Sequence, residues 1–590
     1  MGLLQQAVAT YDDLQAQGYV GQLRDGQTVL APVSHMITRA DLEITLDKDG
    51  HFVSGCTVDR DEPKIIIPVT ESSSGRTSGV CAHPLCDQLG YVAPYNEKKH
   101  AAYLDQLEQW AASPYTHPTV QAVLAYVKGG TILSDLANAG VIELKDNHQP
   151  KDEKLLVRWR VQNSDTNDAC WTDPTLFQAF IHFYESLSDN APKTVCMITG
   201  QQARAAMQHP KGIVSVYGNA KLISANDATG FTYRGRFSEP EQAASISYEA
   251  SQKAHSALRW LIENQGETVG GRTFICWNPK TKKLPNTLKS LLSGVDAVIA
   301  TPEDYSKQLR DTLSGWQTTL APTDGVVIAA FDAATSGRLA MTYYNELRSS
   351  DFLQRLYDWD NTCAWENNQF GIQSPALWQI VQCAFGTQQG ERLKTDDRVL
   401  RQQMQRLLAC RLNRAKMPTD ILRALVQRAS MPQAYDWRVW RQILFVACAV
   451  VRKHRSDMKE EWSMALDIEK ADRSYQFGRL LAVLEKIEKD TYSKDDTRET
   501  NAIRLLSIYV RRPFQTFQTI YERVRVPYYS KLPYGARTRY EKLLEEILGH
   551  IAGLGLSDEA LNRPLKETYL MGYYLQQQAL YQPQSEKTEE

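Results

Sequence analysis

Guanidinium groups are the side chains in this sequence whose number and spacing most directly imply chemistry. Between Arg398 and Arg455 eleven Arg and two Lys face only Asp420 and Asp436, a net +11 in 58 residues. A second run, Arg504 to Lys542, sets nine cations against Glu522 and Glu541, leaving +7 in 39 residues. The planar guanidinium fork fits phosphate oxygens. Neutralising phosphates releases counterions, which gives affinity without sequence preference. Without an anion nearby, such a surplus repels itself and costs stability; a solvated helix face is the plainer alternative. The candidate polyanion contacts are Arg398, Arg401, Arg411, Arg414, Arg504, Arg511, Arg512, Arg523 and Arg525.

Two further stretches have the composition of phosphate or groove contacts. In Ser72-Ser73-Ser74-Gly75-Arg76-Thr77-Ser78-Gly79, small residues let backbone amides converge on an anion while Arg76 adds charge. The same residues also suit an ordinary surface loop. The second stretch, Lys211 to Arg236, includes Asn226, Tyr233, Arg234 and Arg236. Asn and Arg make paired hydrogen bonds to base edges, although Asn226 could equally cap a turn.

Catalytic signatures are missing. There is no GxxxxGK[ST] loop, HExxH, GxSxG or paired CxxC. Cys81, His83 and Cys86, with Cys56 as a possible fourth ligand, do not have a standard zinc spacing. Cys196 with His209 is a weaker pairing still. The expectation is therefore no catalytic residues, no metal and no cofactor.

The elements that must position these residues divide into a mixed front and a helical back. Residues 1–17 read as an amphipathic helix. Leu42, Ile44 and Leu46 alternate, Asp49-Gly50 marks a hairpin, and Phe52-Val53 resume the strand. Lys64–Pro68 reads as a third strand, and helices follow over 96–112 and 118–139. Strand-like pieces recur at 155–161, 194–198, 274–277 and 326–331. Beyond about residue 370 the pattern is almost wholly helical, with helices at 474–490, 500–512, 513–526, 534–555 and 558–582. The fold class is α+β: a mixed domain over 1–370, an arginine-rich helical segment over 371–463 and a helical bundle over 464–590.

Composition sets the outer bounds. The 590 residues are 43% apolar and 23% charged, which argues against disorder. The net charge of -2 conceals -11 over 1–397, +9 over 398–463 and zero over 464–590. The longest clean apolar run, Ile443 to Val451, is too short to span a bilayer. Ten irregularly spaced cysteines and a start without a basic leader imply a soluble, cytoplasmic protein.

Several segments, in colinear order, resemble the large subunit of the type I-C CRISPR Cascade complex. They include Pro68–Glu71 running into Arg76–Gly79 and His83–Asp87, then Ala220–Asp227 and Phe231–Phe237. Ser251–Ile262 and Tyr475–Lys486 extend the likeness over most of the chain. Phe477-Gly-Arg-Leu-Leu481-Ala departs conservatively from the family's Leu-Gly-Arg-Leu-Phe-Ala.

The resemblance implies a non-catalytic subunit of a crRNA-guided complex. Such a subunit recognises a protospacer-adjacent motif in duplex DNA, helps open it, stabilises the displaced strand and helps recruit a helicase–nuclease. The protein reads the short motif and base pairing reads the rest. Its implied partners are crRNA, target DNA, the backbone subunits, the crRNA-processing subunit and a small subunit from the same gene. The 72–79 and 226–236 stretches are then candidates for the motif and the arginine-rich helices for the displaced strand. A nuclease with a dispersed site is the alternative. An internal start has its own footing in the residues: Lys459-Glu460-Glu461 is encoded by nine purines, and Trp462-Ser463 place six nucleotides before the Met464 codon. Met458 is a rival start.

Overall fold

The computed structural model describes residues 2–23, 28–62, 64–76, 79–162, 168–187, 193–224, 237, 242, 244–294, 298–335, 337–367, 371–493 and 495–581. The chain is a mixed α+β protein with a helical C-terminal region. It forms two compact units. The first comprises 1–268, 272–283 and 325–346; the second comprises 269–271, 284–324 and 347–590.

In the first unit the alternating segment becomes the strand Leu42–Asp47, antiparallel to Phe52–Thr57. Gly50 closes the hairpin at φ +86°, and a β-carbon there would meet the Ala122 carbonyl oxygen at 2.5 Å. Position 50 therefore requires glycine for both its conformation and its packing. The third strand of this sheet is Val157–Gln162, parallel to Leu42–Asp47. Ile65–Pro68 pairs instead with His35–Thr38. Simple alternation suggests one wet face for Leu42–Asp47, yet Glu43 and Thr45 are buried as well. Glu43 is tolerated there because Arg158 and Arg160 donate to it at 2.8 and 2.7 Å.

A second sheet orders Arg338–Arg348, Gly325–Thr335, Arg272–Trp277 and Glu267–Val269. The helices Leu3–Ala16 and Tyr248–Gln265 pack with it around a core that includes Tyr11, Leu258, Trp277 and Phe331. The predicted 118–139 helix is two, Pro118–Gly129 and Ile132–Asn138, divided at Gly130 in the left-handed region.

The second unit is built on helices, with short antiparallel strand pairs, Trp365–Asn367 with Gly371–Gln373 and Thr387–Gln389 with Arg392–Lys394. At its centre Arg473–Lys489 packs along Thr568–Tyr581. A β-carbon on Gly478 would lie 2.0 Å from the Tyr569 carbonyl oxygen, and one on Gly572 2.1 Å from that of Tyr475. The two backbones thus touch, and only glycine permits it. Arg479 is fully buried beside this crossing, donating to Gln476, Ile468, Gln576 and Glu546. The expected 500–512 and 558–582 helices are each interrupted, the first at Leu505 and the second across Pro564. Among the described residues no helix is long and apolar enough to cross a membrane.

Candidate nucleic-acid interface

In the first unit Ser72–Ser74 form part of one helical turn, Glu71–Ser74, rather than an open loop. The physical reason is a reciprocal cap: Ser73 N donates to Thr70 Oγ1 at 3.1 Å and Thr70 N to Ser73 Oγ at 2.9 Å. Ser73 is buried and also meets His83 Nδ1 at 3.0 Å, while Ser72 is exposed. Gly75 follows as the C-cap.

Arg76 is partly buried and already committed. It donates through Nη1 to Asp87 Oδ2 and to the Cys81 carbonyl, both at 2.8 Å, and through Nη2 to Asp87 Oδ1. Its guanidinium lies 4.5 Å from the Tyr91 ring centre. Burial opposes its charge, but the bonds to Asp87 outweigh this and hold its pKa above the ordinary value. Arg76 therefore anchors the loop through Asp87 rather than offering a free cation. Thr77, Ser78, Asn226, Tyr233, Arg234 and Arg236 lie outside the described residues.

The candidate metal ligands are dispersed. Cys56 is exposed, His83 is bonded to Ser73, and Cys86 Sγ lies 3.6 Å from Cys170 Sγ in the core. Among the described residues no group of three or more His, Cys, Asp or Glu could hold a metal ion. Ser247 N donates to Cys196 Sγ at 3.2 Å, and His209 Nδ1 lies 2.8 Å from Ser251 Oγ.

In the second unit the Arg398–Arg455 cations are largely matched inside the fold. Arg411, 1% exposed, bonds buried Asp360 at 3.3 Å and the Thr287 carbonyl at 3.0 Å. Arg414 pairs with Asp358 at 3.1 Å, and Arg406 holds Asp420 through two bonds of 2.6 and 2.7 Å. Arg455 reaches Glu567 at 2.5 Å. Arg398 is exposed in the first turn of Asp397–Asn413, and Arg401 is half-buried one turn on.

The second run behaves differently. Arg504, Arg511, Arg512, Arg523 and Arg525 are all exposed, and among the described residues none shows an ion pair. They bracket the helix Pro513–Arg525. Thirteen residues at about 1.5 Å each make the helix roughly 20 Å long, the axial length of about six phosphates on one strand of a B-form duplex at ~3.4 Å each.

Charge counting alone missed the residues that accompany these arginines. Tyr534 is 83% exposed, with Lys531, Arg539 and Lys542 exposed nearby in sequence, and Lys531 Nζ lies 5.8 Å from the Tyr528 ring centre. An exposed aromatic such as Tyr534 among cations, with Tyr528 half-buried nearby in sequence, suits base stacking along a tracked backbone. The interleaving Tyr528-Tyr529-Ser530-Lys531-Leu532-Pro533-Tyr534 was the available signal.

Taken together, these features define a two-unit α+β chain whose helical part presents exposed arginines around one helix and an exposed tyrosine, Tyr534, in the segment after it. Residues 8–581 match the family model described as CRISPR-associated protein (Cas_Csd1), and the chain belongs to that family. No curated protein matches it.

Proposed function

We propose that this chain is the non-catalytic large subunit of a crRNA-guided type I-C Cascade complex, working in the cytoplasm. In this reading it recognises the protospacer-adjacent motif in duplex DNA, helps open the duplex, holds the displaced strand and helps recruit the helicase–nuclease. The observation that carries it is the exposed cationic run around Pro513–Arg525, in a chain of a CRISPR-associated family. Such a run neutralises phosphates without reading sequence, which is what a displaced strand of any sequence needs.

The motif is assigned to the first unit, at exposed Ser72 and at Asn226, Tyr233, Arg234 and Arg236, with Arg76 holding the loop through Asp87. The arginines of the second unit are assigned to the displaced strand, with Arg411 left out because it is buried against Asp360. Gel-shift titration of the assembled complex tests both assignments. Asn226→Ala and Arg234→Ala are expected to flatten discrimination between motif and non-motif duplexes; unchanged discrimination in both removes the loop from the interface. Metal-dependent cleavage by the purified chain would favour the nuclease reading instead.

The small subunit is assigned to internal initiation at Met464, which precedes the helices Arg473–Lys489 through Thr568–Tyr581. In the full chain Tyr569 bonds Ser430 at 2.7 Å and Gln577 bonds Arg441, contacts that a product starting at 464 lacks. Intact-mass spectrometry of the complex purified from the native gene is expected to show a polypeptide of residues 464–590. Its replacement by one starting at Met458 would move the start, and finding neither would refute internal initiation.

A further inference from the structure

A cavity of about 940 Å³ opens within the first unit. One wall is a stripe of the Tyr248–Gln265 helix, where Gln252, His255, Arg259 and Glu263 recur at helical spacing. The His35–Thr38 strand and the turns at Gly75 and at Lys211-Gly212 form the others. Gly212 is in the left-handed region at φ +66°, and a β-carbon there would meet the Gly218 carbonyl oxygen at 2.9 Å. The turn is therefore tight, and it sets Lys211 opposite Lys221 in an antiparallel bridge.

Three of the lining cations are held by carbonyl oxygens rather than carboxylates. Arg259 donates to the Lys211 carbonyl at 2.7 Å, Arg39 to that of Arg60 at 3.2 Å, and Lys211 Nζ to that of Arg76 at 3.5 Å. The lining carboxylates are Asp61 and Glu263, and Glu263 stands 4.0 Å from a fourth cation, Lys64. Burial pulls the Arg259 pKa down against the opposing pull of Glu263, and burial and then Lys211 do the same to Lys221. Arg39 and Lys64 are exposed, but Lys211 and Arg259 are half-buried and bonded to carbonyls. Partly desolvated cations of this kind favour an anion beside them.

The second feature is a pair of buried acceptors. His255 Nδ1 lies 2.7 Å from the Ser251 carbonyl oxygen, and His35 Nδ1 lies 2.8 Å from that of Val33. A carbonyl only accepts, so each Nδ1 carries the proton and each Nε2 is left a bare acceptor. Both imidazoles are more than nine-tenths buried, and among the described residues neither Nε2 has a partner. Burial holds both near a pKa of about 4, so they are neutral at pH 7.

A ligand matching this lining is anionic at one part and carries N–H or O–H donors at another, within the volume typical of a small-molecule site. We propose that the cavity binds one unpaired nucleotide, its phosphate held by Lys211 and Arg259 and its base amino or ribose hydroxyl groups donating to His35 and His255. The nucleotide could be free or splayed out of a strand. The site needs neither a motif duplex nor partner subunits, so it stands or falls apart from motif recognition.

Calorimetric titration of the full chain with AMP, CMP, GMP and UMP, with inorganic phosphate and with a 5′-phosphorylated hexanucleotide tests it. At least one mononucleotide or the hexanucleotide is expected to saturate one site, about tenfold or more tighter than inorganic phosphate. Loss of one charge-assisted bond in Lys211→Ala should weaken it about tenfold or more, with Lys211→Arg restoring most of the affinity and both variants melting like the parent. His255→Phe should narrow the gap between nucleotide and phosphate. A tighter hexanucleotide assigns the site to a strand, and a tighter mononucleotide assigns it to a free ligand. Phosphate binding as well as every nucleotide, affinity indifferent to Lys211→Ala, or no saturable binding of any probe overturns the proposal.

Discussion

Arg406, Arg411, Arg414 and Arg455 each meet a carboxylate of the fold, whereas Arg504, Arg511, Arg512, Arg523 and Arg525 stand in solvent around one helix. In sequence the two stretches look alike, and the first carries the larger surplus. The difference lies in where their partners come from. Asp358 and Asp360 precede the first run and Glu567 follows it by more than a hundred residues, so a sum taken along the run cannot see them. Net charge over a window therefore says little about how much cation remains available to a ligand. Availability is set by tertiary pairing.

The sharpest way to break this contrast is to truncate a matched arginine. Arg411→Ala leaves the Asp360 carboxylate, 0% exposed, without its guanidinium. Removing one member of a buried pair costs about 3–5 kcal/mol, so urea unfolding should show an unfolding free energy lowered by about that amount, with the midpoint falling accordingly. DNA affinity of the protein that remains folded should not change. An Arg411→Ala protein of parental stability that binds DNA weakly would reverse the roles assigned to the two runs.

The complementary experiment changes affinity and not stability. Reversing Arg504, Arg511, Arg512 and Arg523 to Glu should leave the unfolding midpoint in place. If each contacts one phosphate, the dependence of log affinity on log salt for single-stranded DNA should flatten by about 0.7 per contact, roughly 3 in all. Between 50 and 200 mM salt the parent should then lose about fifty-fold more affinity than the variant. Equal salt slopes would show that this surface does not meet the backbone.

Much of the fold was legible. Asp49-Gly50 between alternating segments marked its hairpin, and Phe477, Leu480, Leu481 and Leu484 marked a buried helix, because both patterns are local. The partner of Ile65–Pro68 was not, since strand pairing is decided by distant residues such as His35–Thr38. Gly478-Arg479 was visible as a motif, but its reason, two backbones in contact and a buried arginine with four acceptors, needed the packing. At the candidate site, the charge of the 504–542 run was visible and its exposure was not. Arg76 was visible as a cation, while Asp87, eleven residues on, was not visible as its partner.

The weakest pairing within the first run gives the finest test of the contrast. Arg406 is partly exposed and Asp420 exposed, and the bonds from Arg406 are the main reason the Asp420 carboxyl lies below its ordinary pKa. A depressed carboxyl contributes stability above the unfolded value, near ~3.9, that is lost as pH falls through its folded value. Solvent screens such a pair, so its worth is under about 1 kcal/mol. Arg406→Ala should thus lower the urea midpoint slightly at pH 7, and the gap to the parent should close as pH falls below ~3.9. Pairing this loose also leaves Arg406 open to competition by phosphate, which a buried guanidinium does not face. If Arg406→Ala reduces the salt slope for DNA while Arg411→Ala does not, the boundary between matched and available arginines falls at solvent exposure rather than at the presence of a carboxylate partner.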